Sequence, residues 1–218
     1  MTQPSIVNDL IVLVADKNME FTVKGILDNH QRLGIRPLPE GKRKIFPGPQ
    51  DAGCYRRCQD YLRPYSRDYQ YALVMIDKEG SGTEHLSRVE IEENIEQRMA
   101  SSGWDDRAKA IVFDPELEIW VWSDSPKVDE VLDWGARQPN MREWLKENGW
   151  LENNEAKPKR PKEALEAVLK TVKKPWSSSI HYKLAQQVSF NRCSDESFIK
   201  FKNLLSEWFP KERTKSNA

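Results

Sequence analysis

Long apolar runs are what this sequence most lacks. No stretch approaches the roughly 20 apolar residues a helix needs to cross a bilayer, so no membrane partner is expected. The opening MTQPSIVNDL has no basic region followed by an apolar one, so no secretory signal is expected either. Cysteine is scarce and odd in number, with Cys54, Cys58 and Cys193 as the three. That argues against a disulfide framework and fits a reducing compartment, so a soluble cytoplasmic protein is expected. Cys54 and Cys58 share a face if their segment is helical, but without clustered histidines or further cysteines they make no zinc site. Net charge is lacking too: 34 Lys and Arg balance 34 Asp and Glu. No global field draws in nucleic acid or anionic lipid, which leaves only local patches. The glycine-bearing GSGTEH after Glu79 lacks the Gly-Lys-Ser/Thr ending of a phosphate loop. Ser177 to Ser179 with His181 do not form a nucleophile elbow.

What is present is a chain of 218 residues with eight tryptophans, enough to bury a core without disulfides or a structural metal. LIVLVA, from Leu10 to Ala15, is a continuous apolar run rich in β-branched residues and reads as a strand covered on both faces. A helix follows, with Met19, Val23, Ile26, Leu27, His30 and Leu33 at helical spacing, Asn18 as N-cap and Gly34 as its stop. A short strand is expected around Lys44 to Phe46, then a helix ending near Pro64, then the strand YQYALVMID. A charged helix with Leu86, Val89, Ile91, Ile95 and Met99 inside leads to a further strand, AKAIVFD. PELEIWVWSD and SPKVDEVLDWG read as short helices, the second started by Ser125-Pro126. ENNEAKPKRPKEA reads as a surface connection. Two amphipathic helices follow, the last with Phe198, Phe201, Leu204, Leu205 and Trp208 in one stripe and Ser194 or Asp195 as cap. The tail PKERTKSNA is expected to fray. Alternating strands and helices imply an α/β fold with a mainly parallel sheet flanked by helices and a helical C-terminal part. The expected division is an α/β core over 1–150 and a helical extension over 151–218 packed on the same core.

In an open parallel sheet, ligands bind outside the carboxyl ends of the strands. Asp16 and Glu20 follow the first strand, Asp77 and Glu79 end the YQYALVMID strand, and Asp114, Glu116 and Glu118 follow the AKAIVFD strand. Carboxylates gathered at one edge repel and raise one another's pKa, a penalty that a hard divalent cation removes. Such an ion polarises a phosphate and supplies a metal-bound water. Single acids here have simpler roles, as turn or cap residues, and Glu116 and Glu118 lie two apart, so on a helix they cannot both face inward.

A basic stretch, Lys157, Lys159, Arg160 and Lys162, precedes Trp176. These residues are candidates for nucleic-acid contact, the cations to phosphates and the ring to an unpaired base; a solvated helical face is the simpler alternative. His181 is a candidate base, with a structural hydrogen bond as the simpler role.

In order, LIVLVADKNMEFTVKGIL, ALVMIDKEGSG and FDPELEIWVWSD resemble Toprim-like proteins, more closely the DUF4276 family and less closely the RloB-like proteins. Pro115-Glu116-Leu117-Glu118-Ile119-Trp120 fits that family's Pro-x-x-Glu-x-Trp element, and IHYKLAQQVSFNRCSDESFIKFKNLL resembles its closing segment. The resemblance implies a Toprim-like sheet binding Mg²⁺ (or Mn²⁺) and a place in bacterial anti-phage defence. By position it implies Asp77, Glu79, Glu20 and Glu118 as metal ligands, Glu20 or Asp16 as catalytic acid or base, and Lys183 near the acidic edge. The Toprim glutamate at the end of the first strand has no clean counterpart, because Ala15-Asp16 stands there. Two functions follow: a metal-dependent phosphodiesterase acting on DNA or RNA, or a catalytically degenerate subunit that binds nucleic acid or other members of a defence complex.

Overall fold

The central strand β1 (Asn8–Val14) is fully buried from Leu10 to Val14. Each such side chain contributes roughly 1.5–3 kcal/mol of transfer free energy. In the computed structural model, which describes residues 6–123 and 125–211, β1 is flanked by β2 (Arg43–Pro47) and β3 (Tyr69–Asp77), and β4 (Ala108–Phe113) follows β3. The order is β2-β1-β3-β4 and every pairing is parallel. Parallel strands need helical crossovers, and these cover the sheet on both faces. The protein is therefore α/β, with helices also making up its C-terminal part.

Helix α1 (Lys17–Asp28) and the single turn α2 (His30–Leu33) join β1 to β2, α3 (Gln50–Leu62) joins β2 to β3, and α4 (Arg88–Met99) joins β3 to β4. Beyond β4 come a 3-10 turn (Leu117–Trp120), α5 (Pro126–Val131), α6 (Met141–Glu147), α7 (Pro161–Thr171), α8 (Ser178–Gln187) and α9 (Glu196–Trp208). α1 packs on α8, α3 on α4, and α9 against β4. The chain passes from β1 to β2 on one side, then returns past β1 to β3 on the other. The topological switch point therefore lies between the carboxyl ends of β1 and β3, where open α/β sheets take their ligands.

β4 is an edge strand, and its outward N–H groups are covered rather than left open to another chain. Val112 N donates to Glu92 Oε1 at 3.0 Å and Ala110 N to Glu96 Oε1 at 3.1 Å. Those glutamates are held by Arg88, Lys109 and Lys200.

The described residues form two apolar clusters. One surrounds the sheet and includes Phe198, Phe201 and Leu205 of α9. The second joins Val121, Trp122, Leu132 and Leu145 to Leu165, Leu169 and Leu184. A boundary at 150 runs through this second cluster.

Local details differ from the sequence reading. Asp16, not Asn18, caps α1, because Asp16 follows the strand directly and its Oδ1 accepts from Met19 N at 2.8 Å. α4 begins at Arg88 behind a Ser87–Glu90 capping box. Asp195 caps α9, accepting from Ser197 N and Phe198 N. The expected fraying of the tail falls largely on 212–218, outside the described residues. Among the described residues no helix is long and apolar enough to cross a membrane.

Candidate functional site at the carboxyl edge of the sheet

Parallel pairing sets Val14 of β1 beside Met75 of β3. Asp16 follows the end of β1 by two residues and Asp77 ends β3, so the two acids lie on the two sides of the switch point. The acids here are tied to backbone. Asp51, in the first turn of α3, accepts from Asp77 N at 2.7 Å. Asp77 Oδ1 in turn accepts from Leu117 N at 2.8 Å, which anchors the 3-10 turn on the end of β3. Glu118, on that turn, is buried and lies 3.1 Å from Nε2 of buried His181 on α8. Glu116, just before the turn, is buried as well, with Lys162 Nζ of α7 at 3.7 Å.

Glu116 and Glu118 therefore both face inward, against the expectation from helical spacing. Glu116 is extended, with φ −147° and ψ 162°, so the helical rule does not reach it. After Asp77 the chain turns through Gly80, whose φ of +83° suits glycine.

Charge is poorly compensated at this edge. Burial first, then Asp51 and Glu118, and also Asp16, push the Asp77 carboxyl well above the usual range, against the pull of the Leu117 N–H. Burial raises Asp51 to about 6, opposed by the Asp77 N–H and aided by Asp16. Burial raises Glu116 to about 7, with Lys162 opposing and Glu118 and Glu79 adding to the rise. Burial works against the Lys162 cation, but Glu116, Glu118, Asp77 and Asp16 outweigh it and hold its proton more tightly. Acids from four separate segments thus act on one another around a shared lysine.

The donor set suits a hard divalent cation, being carboxylate throughout. Asp16, Asp51 and Asp77 each have an oxygen engaged by a backbone N–H. Among the described residues no three His, Cys, Asp or Glu side chains are disposed around one point as ligands. Coordination would need side-chain rotation within the cluster.

The other sequence candidates are placed differently. Glu20 pairs with Lys24 at 2.5 Å along α1. Glu79 is exposed, and its charge acts on Glu116. Lys183 is exposed, whereas Ile180, His181 and Leu184 form the inner face of α8; His181 is the α8 side chain that meets the acids. The basic stretch is largely neutralised: Lys157 donates to Ile119 O at 2.9 Å and lies 3.9 Å from Asp195, Lys159 pairs with Glu152 at 2.6 Å, and Arg160 with Glu163 at 2.7 Å. Lys162 belongs to the acidic edge instead. Trp176 is half-buried against the second cluster, 5.2 Å from the His181 ring. Cys54 and Cys58 do share the buried face of α3, and burial pushes the Cys54 thiol up to about 12, so it is unreactive.

Sequence reasoning missed Asp51 and misplaced Lys162. The signal for Asp51 was available, since it lies shortly after the carboxyl end of β2 and obeys the same strand-end rule as Asp16 and Asp77. No protein-family model, curated protein or solved structure matches this chain.

Proposed function

We propose that this chain is a Toprim-like component of a bacterial anti-phage defence system, akin to the DUF4276 and RloB-like proteins, and that its acidic edge holds Mg²⁺ or Mn²⁺ to act on phosphodiesters of DNA or RNA. One observation carries the reading: Asp16, Asp51, Asp77 and Glu118 come from four segments to the switch point of the sheet, where burial raises Asp77 and Asp51 and the charges of their acidic neighbours add to the rise. Such a cluster gains most from a cation, which would lift the repulsion and the burial penalty together. Asp77 and Asp51 would hold the ion, with Glu118 or Asp16 completing the set. When bound, the ion supplies Lewis-acid polarisation of a phosphate oxygen and lowers the pKa of a water. Lys162, kept protonated by its neighbours, offers a charge to a second phosphate oxygen. His181 orients Glu118 through their hydrogen bond. Asp16 stands where the family carries a glutamate and is the acid or base of this reading.

The test is cleavage of end-labelled DNA and RNA with Mg²⁺ or Mn²⁺. The wild-type chain should cut one of them, and Asp77→Asn should lose at least about a hundredfold in rate. Cleavage that survives Asp77→Asn rejects this mechanism. A second reading, a non-cleaving subunit that binds nucleic acid or a partner, is favoured by the lack of a preassembled ligand triad among the described residues and by Ala15-Asp16 directly after β1. Its mark is stable complex formation with no cleavage under either metal.

A further inference from the structure

We propose that a second site, at the opposite end of the sheet from the acidic edge, binds ligands carrying clustered phosphate groups. An open cleft of about 1110 Å³ lies between the C-terminal part of α3, the turn after it and the end of α4. Its described lining includes Arg63, Arg67, Arg98 and Arg107, with Asp60 as the acid among them. Asp60 is already engaged by Arg57 Nε at 3.3 Å.

The arginines divide into fixed and free. Arg107 is held by backbone carbonyls, with Nη1 donating to Tyr69 O at 3.0 Å and Nη2 to Ser66 O and Gly103 O at 3.0 Å. Carbonyl oxygens orient a guanidinium without cancelling its charge. Arg98 donates to Tyr55 O, and its Nε is buried with no hydrogen-bond partner. Arg63 and Arg67 are exposed, and their side chains make no ion pair or hydrogen bond among the described residues. In a chain of zero net charge, where Lys157, Lys159 and Arg160 are spent on carboxylates and carbonyls, such an uncompensated group stands out.

Guanidinium forks match phosphate oxygens two at a time, so a cleft with two free and two fixed arginines selects for more than one phosphate. No aromatic ring is among the described lining residues, so the contact is with phosphates and not with stacked bases. β3 spans nine residues between the two ends, roughly 25 Å at the usual strand rise. The site is thus independent of the cation reading.

The probes are a fluorescein-labelled single-stranded oligonucleotide and inorganic tripolyphosphate, at low salt with EDTA. The wild-type chain should bind, and tripolyphosphate should displace the oligonucleotide. Arg63→Ala with Arg67→Ala should weaken binding about tenfold or more and reduce the log–log salt slope for the oligonucleotide by about 1.4, two charges at the single-strand increment. These side chains are exposed, so the melting temperature should be unchanged, and Arg63→Lys with Arg67→Lys should bind better than the alanine pair. Binding of tripolyphosphate alone would support the site and identify its ligand as a small phosphorylated molecule. Wild-type protein that binds neither probe, or an alanine pair that binds as tightly with the same slope, overturns the proposal. Asp77→Asn should leave binding intact; its loss there would place the ligand at the acidic edge instead. Failure of cleavage at that edge does not touch this result.

Discussion

Two groups of acids in this protein are both largely withdrawn from solvent, and they behave in opposite ways. Glu92 and Glu96 on α4 meet Arg88, Lys109 and Lys200, and each also accepts an N–H of edge strand β4. Although burial opposes it, this pairing holds Glu96 below the ordinary carboxylate range. At the carboxyl edge, Asp77, Asp51 and Glu116 are pushed upward, with Lys162 as the nearby cation. Burial alone therefore does not decide in which direction an acid's proton affinity moves. The difference is whether the fold supplies the countercharge, and at the carboxyl edge it supplies too little.

Mutation should expose this contrast most strongly on α4. Glu92→Ala strips Arg88 and Lys200 of a shared partner and leaves Val112 N uncovered, and should destabilise by about 3 kcal/mol in chemical denaturation. A loss below about 1 kcal/mol would mean the α4 network is no better paired than the edge. Asp77→Asn should do the reverse at pH 8 without divalent cations. It keeps an acceptor for Leu117 N while removing a penalised charge, and should stabilise by about 1 kcal/mol.

The pH dependence should also differ in sign. Asp51 rises from 3.8 to about 6 and Glu116 from 4.5 to about 7, so between those limits the native state binds more protons than the unfolded chain. Stability from the edge is therefore present at low pH and falls as pH rises through about 6 to 7. Glu96 is lowered, so its contribution is present above its ordinary 4.5 and is lost as pH falls through the lower native value. Melting curves of wild type and Glu116→Gln across this range should show the falling limb flattened in the variant. An unchanged limb would remove Glu116 from the account. The smallest effect is expected on α8, where Lys183→Ala should change stability by less than about 0.5 kcal/mol and leave any cleavage intact.

Much of this was legible in the sequence, for physical reasons. β1, β3 and β4 stand out as largely apolar runs because both sheet faces are covered, and the strand-end rule then finds Asp16 and Asp77. Asp51 was hidden because Pro and Gly before α3 blur where the helix starts. Glu116 was set aside on a helical spacing that its extended backbone does not obey. Lys162 read as part of a basic stretch because its acidic partners are distant in sequence, and the face of α8 that carries His181 rather than Lys183 toward the acids is decided only by packing against α1 and the second cluster.

The most direct measurement is a Mn²⁺ titration of the intact chain, followed by electron paramagnetic resonance at pH 8, for wild type and Asp77→Asn. The account predicts saturable binding to the wild-type protein and its loss in the variant. Wild-type protein that leaves all the Mn²⁺ free, or a variant that takes it up equally well, would contradict it.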